Sequence, residues 1–80
     1  TIEEAEETIT YARVAENSPL VNKTLHEARV PEETGMWVLA IRRGDRCIRP
    51  KPDSKIEVGD VLIASGYAEG EEELKKLAAP

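Results

Sequence analysis

The stretch Pro50-Lys-Pro-Asp53-Ser-Lys-Ile56-Glu-Val-Gly59-Asp60-Val-Leu62-Ile63-Ala-Ser-Gly66 decides how this chain is read. Its two prolines fix φ and lack an amide donor, so the segment opens with a turn and not a helix. Gly59-Asp60 is a second turn, where glycine supplies an unusual φ and the aspartate carboxylate accepts from nearby amides. Asp60 is therefore expected to be structural and not catalytic. From Val61 to Gly66 the chain is apolar, β-rich and too short for an ordinary helix, which makes it a buried strand.

Upstream, Met36 to Arg42 is a second apolar run of strand length, expected to be buried on much of both faces. Gly44-Asp45 then suits a two-residue hairpin loop, with glycine taking the positive φ of a type II′ turn. Arg46 to Arg49 returns as the partner strand. Before this unit, Lys23 to Arg29 predicts a short helix with Leu20, Leu25 and Ala28 on its buried side, closed off by Pro31 and Gly35. Thr8 to Ala15, rich in β-branched and aromatic residues, is the first strand, and Ser18-Pro19 ends it.

At the chain start, Thr1-Ile-Glu-Glu4 has capping-box spacing and predicts a short acidic helix ending before Thr8. Residues 1–8 thus read as a linker or the end of an upstream helix, and 9–80 as the domain. At the other end Glu71 to Ala79 is helical, with Leu74, Leu77 and Ala78 on the buried side. Glu71/Lys75 and Glu72/Lys76 stand at i,i+4 in the favourable orientation, worth about 0.2–0.5 kcal/mol each. The fold class is α+β, a β-α-β-β-β-α lobe.

Composition points to self-association. The chain has 80 residues, no Phe and three large aromatics, Tyr11, Trp37 and Tyr67, so Val, Leu, Ile and Ala must build the core. A core this small supplies only about 3–5 kcal/mol of net stability, and a homodimer is the expected source of more buried area. The formal charge of −5 argues against nucleic acid and anionic membrane surfaces as partners. No apolar run approaches the ~20 residues of a membrane helix, so direct insertion is not expected. A single cysteine, Cys47, excludes an internal disulfide and suits a reducing cytoplasm.

Three segments carry a family resemblance. Ser18-Pro-Leu-Val-Asn22-Lys-Thr-Leu-His-Glu-Ala28, Val38-Leu-Ala-Ile-Arg-Arg-Gly44-Asp45 and the Pro50–Gly66 stretch, in this order, resemble the C-terminal lobe of the RCK (regulator of potassium conductance) family, also called TrkA-C. The resemblance runs from about Tyr11 to Leu77. Asn22 stands where the family usually has Gly, and Asn is among the residues that best tolerate the left-handed region. The resemblance implies a non-enzymatic cytoplasmic regulatory domain, dimeric, serving a potassium or other cation channel or transport system. It joins an upstream domain of its own chain or a membrane transporter. Some members bind a ligand in the dimer cleft, cyclic di-AMP in some and a divalent cation in others.

Carried over by position, the ligand residues are Arg29, Trp37 and Pro50, with Ile41 and Ile48 as an apolar floor. Arg29 suits phosphate oxygens through its planar fork. Trp37 suits purine stacking, although it replaces a polar side chain of the cyclic di-AMP-binding relatives. Asn22, Gly44, Gly59 and Asp60 are expected at structural turns. The plainer readings make Arg29 a solvated helix-end charge, Trp37 a core or dimer residue, and the whole chain a dimerisation module without ligand.

Other chemistry finds little support. Ser18, His26 and Asp60 have no glycine elbow or oxyanion signature around them, so no catalytic residue is assigned. The glutamate clusters lack fixed-loop spacing, and Cys47 and His26 are single, so no metal ligands are assigned. Arg43-Gly44-Asp45 spells an adhesion tripeptide but is explained by hairpin chemistry.

Overall fold

The computed structural model describes residues 7–80. The acidic helix expected at the chain start lies outside them. The first strand, β1 (Glu7–Arg13), alternates exposed and buried residues, with Thr10 and Ala12 turned inward. This period of two is what a sheet covered on one face imposes.

The predicted 23–29 helix is a single turn, α1 (Leu25–Ala28). A capping box starts it: Glu27 N donates to Thr24 Oγ1 at 3.1 Å, and Thr24 N donates to Glu27 Oε1 at 2.9 Å. The Thr24 amide first, and then the Thr24 hydroxyl, hold the Glu27 carboxyl below its usual range. Arg29 ends the turn in the left-handed region at φ 51. A second helix, α2 (Val30–Thr34), follows at once, with Pro31 in its first turn. Pro31 was expected to close the helical region and instead opens a helix, because the first-turn amides have no intrahelical acceptor.

From Gly35 (φ 76) the chain enters β2 (Trp37–Arg43), and a two-residue loop leads into β3 (Arg46–Ile48). Gly44 has φ 64 and is the loop's one positive-φ residue, as a type II′ turn requires. The fourth strand, β4 (Val61–Tyr67), runs directly into α3 (Ala68–Ala78), which begins three positions before the sequence expectation. Gly70 had obscured that start.

The sheet order is β1-β4-β2-β3 and every pairing is antiparallel. Helices α2 and α3 pack on one face, over a core that includes Leu20, Met36, Ile41, Ile56, Leu62 and Leu74. Gly66 lets Met36 approach β4 and Gly70 lets the end of α2 approach α3, since an added Cβ would sit 2.5 Å from Met36 Sδ or from Thr34 O respectively. Contrary to expectation, β2 is not buried on both faces. Trp37 is 65% and Leu39 50% exposed, because no described helix covers the outer side.

Helix α3 is tied to β1 near its start and to the segment following β1 at its end. Thr10 Oγ1 donates to Glu71 Oε2 at 2.6 Å, and Lys75 lies 3.3 Å from the other oxygen of the same carboxylate. At the far end Ala15 N donates to Ala78 O (2.8 Å) and Ser18 Oγ to Leu77 O (2.6 Å), satisfying carbonyls that a helix terminus leaves free. Lys76 pairs with Glu73 at i,i+3 (3.5 Å) and not with the expected Glu72.

Candidate functional site

The turn at residues 50–53 is held against α1 by backbone bonds. Leu25 N donates to Ser54 O (2.9 Å) and His26 N to Pro52 O (3.0 Å), while Ile56 N donates to Lys23 O (2.8 Å). Asn22, at φ 69, completes the ladder by donating to Ile56 O at 2.8 Å. Fixing this proline turn beside the two short helices leaves an open groove of about 420 Å³.

Its apolar lining comes from Leu25 of α1, Val30 and Pro31 of α2, Trp37 and Val38 of β2, and the prolines at 50 and 52. His26 and Glu32 are its polar side chains; neither Lys nor Arg lines it. A flat indole framed by prolines suits an apolar or aromatic ring, the usual arrangement of small-ligand sites with few polar anchors.

Of the five residues singled out in the sequence, the structure brings Trp37 and Pro50 together at this groove. Arg29 is exposed at the α1–α2 junction and does not line it. Ile41 is wholly buried in the core, directly opposite Ile48 in the hairpin register. Leu25, Val30, Pro31 and Val38 were missed as lining residues. Only the proximity of the 50–52 turn to α1 reveals them, and no local pattern encodes that. Among the described residues, no three His, Cys, Asp or Glu side chains converge as a metal site would need.

Asp60 is fully buried and accepts from Glu57 N at 2.9 Å. Arg43 completes its environment, donating from Nε to Oδ1 and from Nη2 to Oδ2, each 2.9 Å, and also to Lys55 O at 3.0 Å. The hydrogen-bonded Asp60 carboxylate raises the Arg43 pKa above its ordinary value. The arrangement locks the hairpin to the 55–60 segment, and through it the proline turn. Gly59, at φ 86, makes the bend that points Asp60 inward.

Together the one-sided sheet, the paired short helices and the aromatic groove define a small α+β binding module. The chain belongs to the TrkA-C domain family, whose model matches residues 9–79. It is 39% identical over 64 residues to potassium channel protein 1 of Methanocaldococcus jannaschii, covering 79% of this chain and 19% of that protein. It is 34% identical over 65 residues to the Trk system potassium uptake protein TrkA of Mycobacterium tuberculosis, covering 81% of this chain and 29% of the relative. The chain thus spans less than a third of these relatives. The RCK_C domain dimer of S. agalactiae BusR in complex with c-di-AMP superposes with a TM-score of 0.80 at 28% identity, over 86% of this chain and 92% of that one. BusR with its promoter DNA matches equally well in fold (TM-score 0.80, 26% identity), with 96% of this chain covering 41% of the longer BusR chain.

Proposed function

We propose that this chain is a dimeric, cytoplasmic, non-enzymatic regulatory domain that senses a ligand on behalf of a potassium channel or potassium-uptake system. The observation that carries the reading is the open groove bordered by Trp37 and the proline turn, on a fold shared with a c-di-AMP-bound domain dimer. The two relatives described above are potassium-transport proteins several times its length, consistent with a regulatory part of a larger assembly.

Cyclic di-AMP is the ligand to test first. Trp37 offers an exposed face for an adenine, with Pro50 beside it. Arg29 is the cation to reach a phosphate from the groove's edge, and the Ile41–Ile48 pair backs the strand on which Trp37 stands. A ligand shifts the attached assembly only by the difference in its affinity for two conformations, so tight binding alone does not make a regulator.

The test is calorimetric titration with cyclic di-AMP alongside the fluorescence of Trp37, the only tryptophan. Saturable heat with a matching emission change supports the sensor. The absence of both favours the second reading, a dimerisation module without ligand, which the exposed apolar outer face of the sheet recommends.

A further inference from the structure

The carboxylate in the groove has no counter-charge. Glu32 and the exposed Trp37 line the same groove. Among the described residues, no Lys, Arg or His nitrogen lies within ion-pair distance of the Glu32 carboxylate. A carboxylate in the first turn of a helix is favoured by the helix dipole, which accounts for an acid there but not for its position. Glu33 stands in the same turn of α2 and does not line the groove. Only Glu32 brings negative charge to the lining.

Donors are scarce beside it. Pro31, Pro50 and Pro52 have no amide hydrogen, and neither Lys nor Arg contributes a side chain. The chain as a whole carries a formal charge of −5. An anion entering this groove meets a like charge and few groups able to hydrogen-bond it.

We infer that the groove takes a small organic cation, an alkylated ammonium head on a short apolar body. This rests on the reading of the groove as a ligand site and assigns the charge of what fills it. The face of an indole attracts a cation through its quadrupole, and Glu32 supplies the opposite charge. Alkylation matters as much as charge. A primary ammonium must place three donors, whereas Glu32 and His26 are the only lining side chains that can accept. Methyl groups in place of those hydrogens need no acceptor and pack against Val30, Val38 and the prolines. The negative net charge further raises the local concentration of cations. A dinucleotide sharing the site would stack a base on Trp37 and keep its phosphates outside, toward Arg29, so the two ligand classes exclude one another at the indole.

The probes are choline and its neutral carbon isostere, in which a tert-butyl group replaces the trimethylammonium. Each is titrated into the 80-residue chain while the indole N–H resonance of Trp37 is followed by NMR. Choline is expected to give a saturable shift, with an affinity about tenfold above that of the isostere. Glu32→Gln should weaken choline about threefold and leave the isostere unchanged, whereas Glu33→Gln should alter neither. Equal affinities for the two probes, or choline binding untouched by Glu32→Gln, would overturn the assignment of charge while leaving the groove a ligand site. Equal weakening by Glu33→Gln would overturn it too, since the effect would then belong to overall charge. If neither probe moves the Trp37 resonance but cyclic di-AMP does, the cation inference fails and the sensor stands. If none of the three moves it, both fall together.

Discussion

Arg43 holds Asp60 through two parallel hydrogen bonds of 2.9 Å, joining a strand of the hairpin to a carboxylate 17 positions later. The carboxylate is completely buried, whereas the arginine side chain is 33% exposed and also lies 2.9 Å from Glu57. Losing the arginine is therefore worse than losing the aspartate charge. Arg43→Met strands a buried anion and is expected to cost about 3 kcal/mol or more, most of the stability of so small a core. Asp60→Asn, which leaves a cation that reaches water and Glu57, should cost about 1–2 kcal/mol. Urea unfolding of both variants checks the order, and a costlier Asp60→Asn would contradict it.

Gly70→Ala in α3 sets two effects against each other. In an exposed helix interior the change stabilises by roughly 0.8–1 kcal/mol. Here the new methyl meets Thr34 O at 2.5 Å and the Met36 side chain at 2.8 Å, and the backbone oxygen cannot swing away. Overpacking of about 1–3 kcal/mol outweighs propensity, so the midpoint of thermal unfolding should fall. A rise would mean that α2 and α3 are free to separate.

Left-handed backbone at Asn22 (φ 69) and Arg29 (φ 51) leads to a paired prediction. Glycine at either site relieves roughly 1 kcal/mol of backbone strain, partly offset by its greater unfolded-state entropy, so each change should lie within about 0.5 kcal/mol of neutral. Val at position 22 should cost more than 1 kcal/mol, by order of magnitude about 1–2. Arg29→Gly is thus a clean probe of the groove: it preserves the fold while removing the candidate phosphate partner. Cyclic di-AMP affinity should drop if Arg29 reaches the ligand, and unchanged affinity would eliminate that role.

The Glu71 carboxyl sits below its ordinary value of 4.5, first because Thr10 donates to it and then because Lys75 is near. A carboxyl with a lowered folded pKa contributes stability above its unfolded value and loses it as pH falls through the folded one. Thr10→Val removes the larger cause and returns Glu71 toward its ordinary range. The stability gap between wild type and Thr10→Val should therefore shrink as pH falls from about 6 to about 3. Thermal melts over that range measure it, and a gap independent of pH would show the bond to be irrelevant to titration.

How much of this was legible in the sequence depended on the range of each interaction. Gly44-Asp45 announced its hairpin, and Gly59-Asp60 its bend, because turn chemistry is local. The strand at Val61 followed from the same stretch. Helix α2 was missed because Pro31 reads equally well as a stop or a first-turn residue, and only the left-handed Arg29 decides; arginine gives no hint of that φ. The start of α3 was blurred by Gly70, which is there for close approach and not for helix formation. Trp37 and Pro50 were singled out through family likeness, but the other groove residues needed the tertiary staple between α1 and the proline turn. The Arg43 partner of Asp60 was likewise hidden by sequence distance.

The double tether between α3 and the segment running from β1 to Ser18 governs how the domain breathes. An edge strand usually frays first, and a terminal helix frays independently of it. Here the side chain of Thr10 and the groups of Ala15 and Ser18 clasp the helix near both ends. Release of either element deprives the other of partners, so amide hydrogens in Glu7–Arg13 and Ala68–Ala78 should exchange with solvent deuterium as one block. The fluctuation that bares the Leu62–Ala64 strand is then a joint excursion, rarer than the loosening of either piece alone.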